Sequence, residues 1–436
     1  MADASTSFKV IIAGGSLVGL ALALCFERAG IEYKLFEKGE LAPQLGASIG
    51  WHPHGVRILE QLGLRDDIEK IAVPLVDRLI FDENGRCIEK SKALWTISQS
   101  MGHPMLFIER CEMLSILSSH IKKKDRIHTH CSIQSYQETE KGVSVTTNDG
   151  QVVHGSILVG ADGIHSHVRG LMADVISKTD PVLAKELRTG FVAQYKCVFG
   201  VSRNGSNTPI MPDATTNTVY YDYYSILTAT GVPGLIFWFL FIKLPAPVRA
   251  PDCPRYSQGD MEKTIEEFGD KTIGPTYTVR DLWDLRVKAS MAPLEEGMLK
   301  KWSHGRVVLV GDSINKVTIN AGLGGNTAYE GIVCFTNGLV ELLARSPTPS
   351  LSELTAVFQE FEETHRQRAD TVTWLSGLIT RYESQDTWYL KLVSRWLSPW
   401  LSDALKTDAY VSFFGKAPHF NWLPKPKPGV VVDARL

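Results

Sequence analysis

The sequence predicts an α/β fold with an inserted antiparallel sheet and a helical tail. Three observations lead there. A short buried strand, "FKVIIA" (Phe8 to Ala13), runs into Gly14-Gly15-Ser16-Leu17-Val18-Gly19 and then an Ala/Leu-rich helix that Gly30 can end. A second strand-to-glycine turn, "VVLVGDSINKVTINAGLGGN" (Val307 to Asn326), comes nearly three hundred residues later. Between them lie aromatic, strand-like runs separated by turn residues.

The first turn has the chemistry of a dinucleotide cradle. Gly14 permits a tight turn, Ser16 is small enough for a pyrophosphate to approach the backbone, and Gly19 lets helix and strand pack closely. A glycine triad alone is weak. The following strand, "IEYKLFE", ends in Glu37, eighteen residues after Gly19, where an acid can accept both hydroxyls of an adenosine ribose. That acid disfavours a 2′-phosphate, so the site suits FAD or NAD better than NADP. Gly50 closes a small-residue segment that starts at Gly46. In "LFIERCEMLSILSSHI" (106–121), Arg110 stands at a strand-to-helix junction, where it can be solvated or can reach a pyrophosphate. "GSILVGADGIHSHVRGLM" (155–172) adds a third buried strand, a Gly160-Ala161-Asp162-Gly163 turn, and Ser166 and Arg169 beyond it.

With these three motifs in order, the chain resembles the FAD-dependent aromatic hydroxylases and epoxidases, the single-component flavoprotein monooxygenases. Shorter matches ("APQLGASIG", "FWFLF", "APHFNWLPKPKPG") are similar to fungal epoxidases of prenylated indoles, indole alkaloids and meroterpenoids. The resemblance implies a glutathione-reductase-type FAD-binding Rossmann domain whose inserted antiparallel-sheet domain roofs the substrate. It implies that Asp162 braces the FAD pyrophosphate and greets NADPH, that Asp312 holds the ribityl chain, and that Arg110 lies along FAD. The Gly322, Gly324, Gly325 and Asn326 loop would abut the flavin. The sequence departs from the pattern at Asn315 and Ile319, where many members carry His and Pro; that alters the loop against the flavin ring.

The implied division has FAD-domain segments at 1–75, 106–172 and 291–345, substrate-domain strands at 76–105, and a substrate sheet at 173–290. A helical region at 346–436 follows. Strands are expected in 190–202, 218–227 and 234–244. Tyr220, Tyr221, Tyr223 and Tyr224, read as one strand, alternate across its faces. By resemblance Tyr224 is the favoured catalytic candidate, with Tyr195 and Lys196 on the neighbouring strand.

The activity implied is NADPH-dependent insertion of one oxygen of O2, by epoxidation or hydroxylation, into a bulky apolar terpenoid or indole alkaloid through a flavin C4a-hydroperoxide. Alternatives are a flavin-free relative that binds a prenylated partner, or a flavin-dependent halogenase, whose Trp-x-Trp-x-Ile-Pro signature is missing. A net rearrangement after oxidation also stays open.

Bulk properties narrow the classes. With 436 residues, 44% hydrophobic and 22% charged, and a formal net charge of −2, the chain offers no electrostatic reason to bind nucleic acid. Seven scattered cysteines, never spaced Cys-x-x-Cys, favour reduced thiols and a cytoplasmic setting over disulfides or zinc. "MADASTSFKVIIAGG" reads as a strand and not a signal peptide, so the sequon at Asn204-Gly205-Ser206 is taken as accidental. No metal site is expected, and His52 and His54 are read as loop histidines. In "DTWYLKLVSRWLSPWLSDAL" (386–405), apolar pairs recur on one face opposite Lys391, Ser394, Arg395 and Ser398. Packing of this face on the protein is the expected state; contact with the endoplasmic-reticulum surface is the alternative.

Overall fold

The computed structural model describes residues 8–43, 48–205, 208–433 and 435. Gly46, Ser206 of the sequon and the first seven residues lie outside them. The first strand, Lys9–Ala13, is the centre of a mostly parallel sheet. Its order is Ser303–His304, Val307–Leu309, Ile157–Gly160, Lys9–Ala13, Glu32–Phe36, Ile127–His128. The three strand-to-glycine motifs of the sequence are therefore neighbours. Ile11 and Ile12 are fully buried, as a strand covered on both sides requires. The helix Leu17–Ala29 buries everything from Gly19 to Phe26 and ends at Gly30, which takes φ +70° and lets its amide reach back to Glu27 O.

An eight-stranded sheet forms the second layer. Its order is Asn315–Lys316, Arg286–Met298, Val192–Arg203, Leu235–Arg249, Tyr224–Ala229, Thr215–Tyr220, Asp77–Phe81, Cys87–Ser91. All pairs are antiparallel except Thr215–Tyr220 with Asp77–Phe81. The strand Arg286–Met298 runs across the expected boundary at 290, and the second glycine motif adds Asn315–Lys316 as an edge strand. One face of the sheet packs Trp238, Leu240 and Ile242 against the helices Gln258–Phe268 and Val279–Asp284. The other face carries Tyr195, Cys197, Val201, Phe237, Phe239, Phe241 and Leu294, with Ile319 and Phe107 packed on it.

Two expectations need correction here. The tyrosine-rich run is not one strand: it folds as a hairpin, with Tyr223 at φ +69° in the turn and Tyr220 opposite Ser225. The segment 388–401 is not one helix either. It breaks into Trp388–Leu392, a π turn at Val393–Leu397 and a 3-10 turn at Ser398–Trp400. Its apolar side faces outward: Trp388, Trp396 and Trp400 are 75%, 72% and 84% exposed. The reason is that its polar side finds partners on the sheet domain and at the end of the long helix. Lys391 pairs with Asp222 at 2.6 Å, Arg395 with Glu83 at 2.7 Å, and Gln385 donates to Ser394 Oγ. Among the described residues, no helix is long and apolar enough to cross a membrane.

His52 lies in the connection before the helix Pro53–Gln61, as expected of a loop histidine, but His54 does not: it is the second residue of that helix. Both rings pack on Tyr410 and Phe414 of the last helix, Asp403–Phe414. Burial pushes His52 down to about 4 and His365, packed against Trp302 and Phe361, to about 3. His54 is pushed well down by burial, with His52, Arg368 and Arg57 adding to it. These imidazoles stay neutral in the fold but gain protons below about pH 6.5 once unfolded. Stability is therefore fully present above that pH and falls with acidification. Urea unfolding at pH 7.5, 6 and 5 is expected to show a loss approaching about 1.4 kcal/mol per pH unit for each such histidine; a flat profile over that range would contradict the burial.

Candidate functional site

The first cradle is built at the start of the helix Leu17–Ala29. Its first intrahelical bond is Leu20 N to Ser16 O, so the amides of Leu17, Val18 and Gly19 have no helical acceptor and present the positive end of the helix. Ser16 makes no side-chain cap; instead its Oγ accepts from Arg110 Nη2 at 2.6 Å. Gly14 sits at φ +100°, and a Cβ there would lie 2.5 Å from Ala161 O. A Cβ on Gly19 would lie 1.8 Å from Gly14 O, so neither position admits a side chain. Glu37 Oε2 accepts from Gly15 N at 2.6 Å and Oε1 from Gly39 N at 2.9 Å. Each oxygen keeps a lone pair for a ribose hydroxyl.

The second cradle begins with Gly311 at φ +65° and Asp312 beyond it. The Asp312 carboxylate is one-third exposed and ion-paired with Lys316 one turn on. Arg110 stands between the two halves, bonded to Ser16 and within the field of Asp312 without pairing with it. Burial pulls its guanidinium below the ordinary value, while the facing carboxylates of Asp312 and Glu37 oppose that. The helix Gly324–Arg345 starts without a side-chain cap, and its first internal bond is Thr327 N to Leu323 O. A second set of open amides, those of Gly324 and Gly325, therefore points out of the Gly322 turn, itself at φ +65°.

Other predicted residues serve this cradle indirectly. Both side-chain polar atoms of Asn326 are engaged: Oδ1 accepts from His52 N at 3.0 Å, and Nδ2 donates to Gly50 O and Gly322 O. It clamps the loop to the strand Ser48–Trp51, and Gly50 lies against Gly322 and Phe107. Asp162 is likewise committed. It accepts from Ser166 Oγ at 2.5 Å, His167 N at 2.7 Å and Val168 N at 3.0 Å, capping the helix His167–Ile176. What faces Gly14 is the carbonyl of Ala161, not the Asp162 carboxylate. Asn315 donates to Thr373 Oγ1 at 2.7 Å, tying the sheet edge to the long helix Leu351–Glu383.

The three catalytic candidates separate. Tyr224 and Lys196 both stand opposite Ile242, on the face turned away from the Ile319 loop. Tyr224 stacks on Tyr221 and meets Phe268 edge-on, and Lys196 lies 5.8 Å from the Tyr256 ring. Neither side chain reaches the loop. The cause is the hairpin, which reverses the chain at Tyr223 and puts Tyr220, not Tyr224, on the loop side. Tyr195 is on the loop side but fully buried, with its hydroxyl 2.9 Å from Ser384 Oγ.

The structure gives two residues roles that the sequence did not assign. Arg169 donates to Ser313 O at 3.0 Å and Ile164 O at 2.6 Å, joining the second and third motifs. Its place in "GADGIHSHVR" was the available signal. Glu383, at the end of the long helix, is fully buried; it accepts from Asn320 Nδ2 at 2.9 Å and faces Arg78 at 3.6 Å. Burial raises its pKa, opposed by Arg78 and Asn320. No local pattern marks it. Among the described residues no cluster of three His, Cys, Asp or Glu is placed to hold a metal.

Two open helix N-termini, the Glu37 carboxylate with its remaining lone pairs, and Arg110 between them make one extended site suited to a flavin dinucleotide. An FAD-binding-domain family model matches residues 7–191. The chain is 35% identical to the FAD-dependent monooxygenase andE of Emericella variicolor over 97% of this chain and 89% of that protein. It is 33% identical to ausM of Penicillium brasilianum (98% and 89%) and to atmM of Aspergillus flavus (96% and 87%), both FAD-dependent monooxygenases. The fold matches Klebsiella pneumoniae HpxO complexed with FAD and uric acid, at TM-score 0.78 and 18% identity, over 94% of this chain and 97% of that one. The chain belongs to the FAD-dependent monooxygenases.

Replacing Glu37 by Gln keeps the backbone bond to one oxygen but removes the charge and an acceptor. Apoprotein reconstituted with FAD is expected to bind it about tenfold more weakly, with unchanged circular dichroism. Gly19→Val is expected to abolish FAD uptake altogether, read by flavin fluorescence after desalting.

Proposed function

We propose that this FAD-dependent monooxygenase uses NADPH and O2 to epoxidise or hydroxylate a bulky prenylated or indole-type secondary metabolite. The observation that carries the reading is the apolar wall facing the second cradle: Phe199, Phe237, Phe239 and Phe241 with Leu227 and Leu294, closed against Ile319 and Phe107. Such a surface suits a terpenoid or alkaloid skeleton better than a small charged acid. The relatives named above support the class of enzyme, and their fungal sources support a secondary-metabolite role.

Bound FAD would supply the redox chemistry, taking a hydride from NADPH and passing one electrophilic oxygen atom to an electron-rich double bond. The balance is substrate, O2, NADPH and a proton giving oxygenated substrate, NADP+ and water. This chain's own work is to hold and to exclude. Glu37, the Gly14–Gly19 turn and Arg110 would hold the ADP half. Asp312 and the Gly322–Gly325 amides would hold the ribityl chain and ring. The phenylalanine wall would orient the olefin and keep water out.

Stopped-flow mixing of the FAD-loaded protein with NADPH, with and without candidate prenylated indoles, tests the reading. Flavin bleaching by NADPH, and one oxygen atom transferred per NADPH consumed, are expected. No reduction under any condition would sink it.

A second reading concerns where the protein works. Trp388, Tyr389, Leu392, Trp396, Leu397 and Trp400 are exposed on one stretch, with its cations turned inward to Asp222 and Glu83. Aromatic side chains of this kind favour a membrane–water interface, which supports peripheral contact with the endoplasmic-reticulum surface, where apolar substrates partition. Full-length protein is expected to co-sediment with phosphatidylcholine vesicles, and Trp396→Ser with Trp400→Ser to reduce that at least fivefold. Equal sedimentation of both proteins would end this reading.

A further inference from the structure

At one end of the apolar wall the surface becomes polar, and its hydroxyls have nothing to bond. Thr218 and Tyr220 are two apart on the strand Thr215–Tyr220 and share the loop-side face. Ser225 stands directly opposite Tyr220 on the next strand. They are 1%, 1% and 0% exposed. Thr218 Oγ1, Tyr220 Oη and Ser225 Oγ make no well-formed hydrogen bond among the described residues; Tyr382 Oη, whose ring meets that of Tyr220 edge-on at 5.5 Å, turns toward Ser398 and Tyr220 but also makes no well-formed bond. A buried hydroxyl without a partner has given up its bonds to water with nothing in return. Clustered at one end of the wall, these hydroxyls can bond a polar group that arrives there.

Their position says where. Leu227 stands opposite Thr218, and Phe239 opposite Leu227; Phe241 stands opposite Ser225. The hydroxyls thus continue the row of side chains that closes on Ile319. The next residue, Asn320, donates to Glu383, which neighbours Tyr382 and faces Arg78 on the adjoining strand Asp77–Phe81. Thr380 Oγ1 lies 2.8 Å from Thr318 Oγ1 and 2.9 Å from Asn320 Oδ1, fixing the same loop from the long helix. The Arg78 cation and the Glu383 carboxylate face each other, so the pole as a whole has no net charge to offer an ionic ligand.

We propose that Thr218, Tyr220, Ser225 and Tyr382 form a subsite for a neutral oxygen substituent, a hydroxyl or carbonyl, carried by an otherwise apolar substrate. The inference rests on the proposed monooxygenase reading and deepens it. It makes the substrate an already oxygenated skeleton and not a pure hydrocarbon, so a reaction that introduces or retains oxygen must precede this enzyme. Hydroxyl groups can donate to a carbonyl or both donate to and accept from an alcohol. A hydrocarbon in the same place would leave all four unpaired, and sites of that kind discriminate strongly against the analogue lacking the polar group. Anchored there, the skeleton would lie along the phenylalanine wall with its far end fixed relative to the Ile319 loop.

The experiment uses FAD-loaded full chain and two probes, a farnesylated phenol and the matching farnesylbenzene, with binding read by calorimetry, which needs no turnover. The phenol is expected to bind at least tenfold more tightly, and Tyr220→Phe with Tyr382→Phe to bring that ratio close to one. Tyr220→Phe alone is expected to leave the melting temperature of ligand-free protein unchanged or raised, because no bond is lost. Equal affinity for the two probes, or binding of neither, overturns the subsite. A fall of several degrees in the Tyr220→Phe melting temperature also overturns it, since the hydroxyl then serves the fold or a resident water. Failure of NADPH to reduce the flavin would strike the monooxygenase reading alone, because the probe ratio is measured without it.

Discussion

Everything else in the molecule depends on how closely the first turn approaches its helix. Gly14 O lies where a Cβ of Gly19 would be, and Gly14 itself is pressed against the Ala161 carbonyl. Those approaches bring the strands Lys9–Ala13 and Ile157–Gly160 and the helix start to one point. Open amides can then face a phosphate with no side chain in the way. Arg110 and Arg169 extend that point outward. Arg110 bonds Ser16 within the field of Asp312, and Arg169 joins the Ile164 loop to Ser313. Three motifs far apart in the chain thereby become a single continuous cradle.

This part was legible in the sequence because its constraints are local. A tight turn, a close helix approach and an acid at a strand end each demand a residue type at a fixed offset. Gly14, Gly19 and Glu37 lie where that logic puts them. The carboxylate of Asp162 shows the limit. The motif identifies the loop but not the direction of the side chain, which is spent capping the next helix.

The sheet face was less legible, for a reason of parity. Alternation assigns faces only while a strand continues, and the left-handed Tyr223 ends it. One unrecognised turn puts Tyr220 and Tyr224, which a single strand would carry on one face, on opposite faces. Glu383 was invisible for another reason. Its partners, Asn320 and Arg78, are brought to it from loop and strand by the tertiary fold, and nothing beside it in the chain announces them. The segment 388–401 shows the same dependence on distant partners. Its amphipathic pattern was evident, but which side faces the protein was decided by Asp222 and Glu83.

The last helix shows how far such distant ties reach. His52 Nε2 lies 2.9 Å from the Ala321 carbonyl, and its Nδ1 lies 2.9 Å from the Tyr410 hydroxyl, which is also 3.1 Å from His54. Asp403, at the start of the same helix, accepts from Ser91 Oγ and Lys92 N. The C-terminal segment is therefore no detachable appendage. Cutting the chain before it would strip two buried imidazoles of their shared partner and unfasten the turn on which the isoalloxazine end of the cofactor is expected to rest. In architectural terms the tail is a keystone, set last in the chain and holding the arch that its beginning starts.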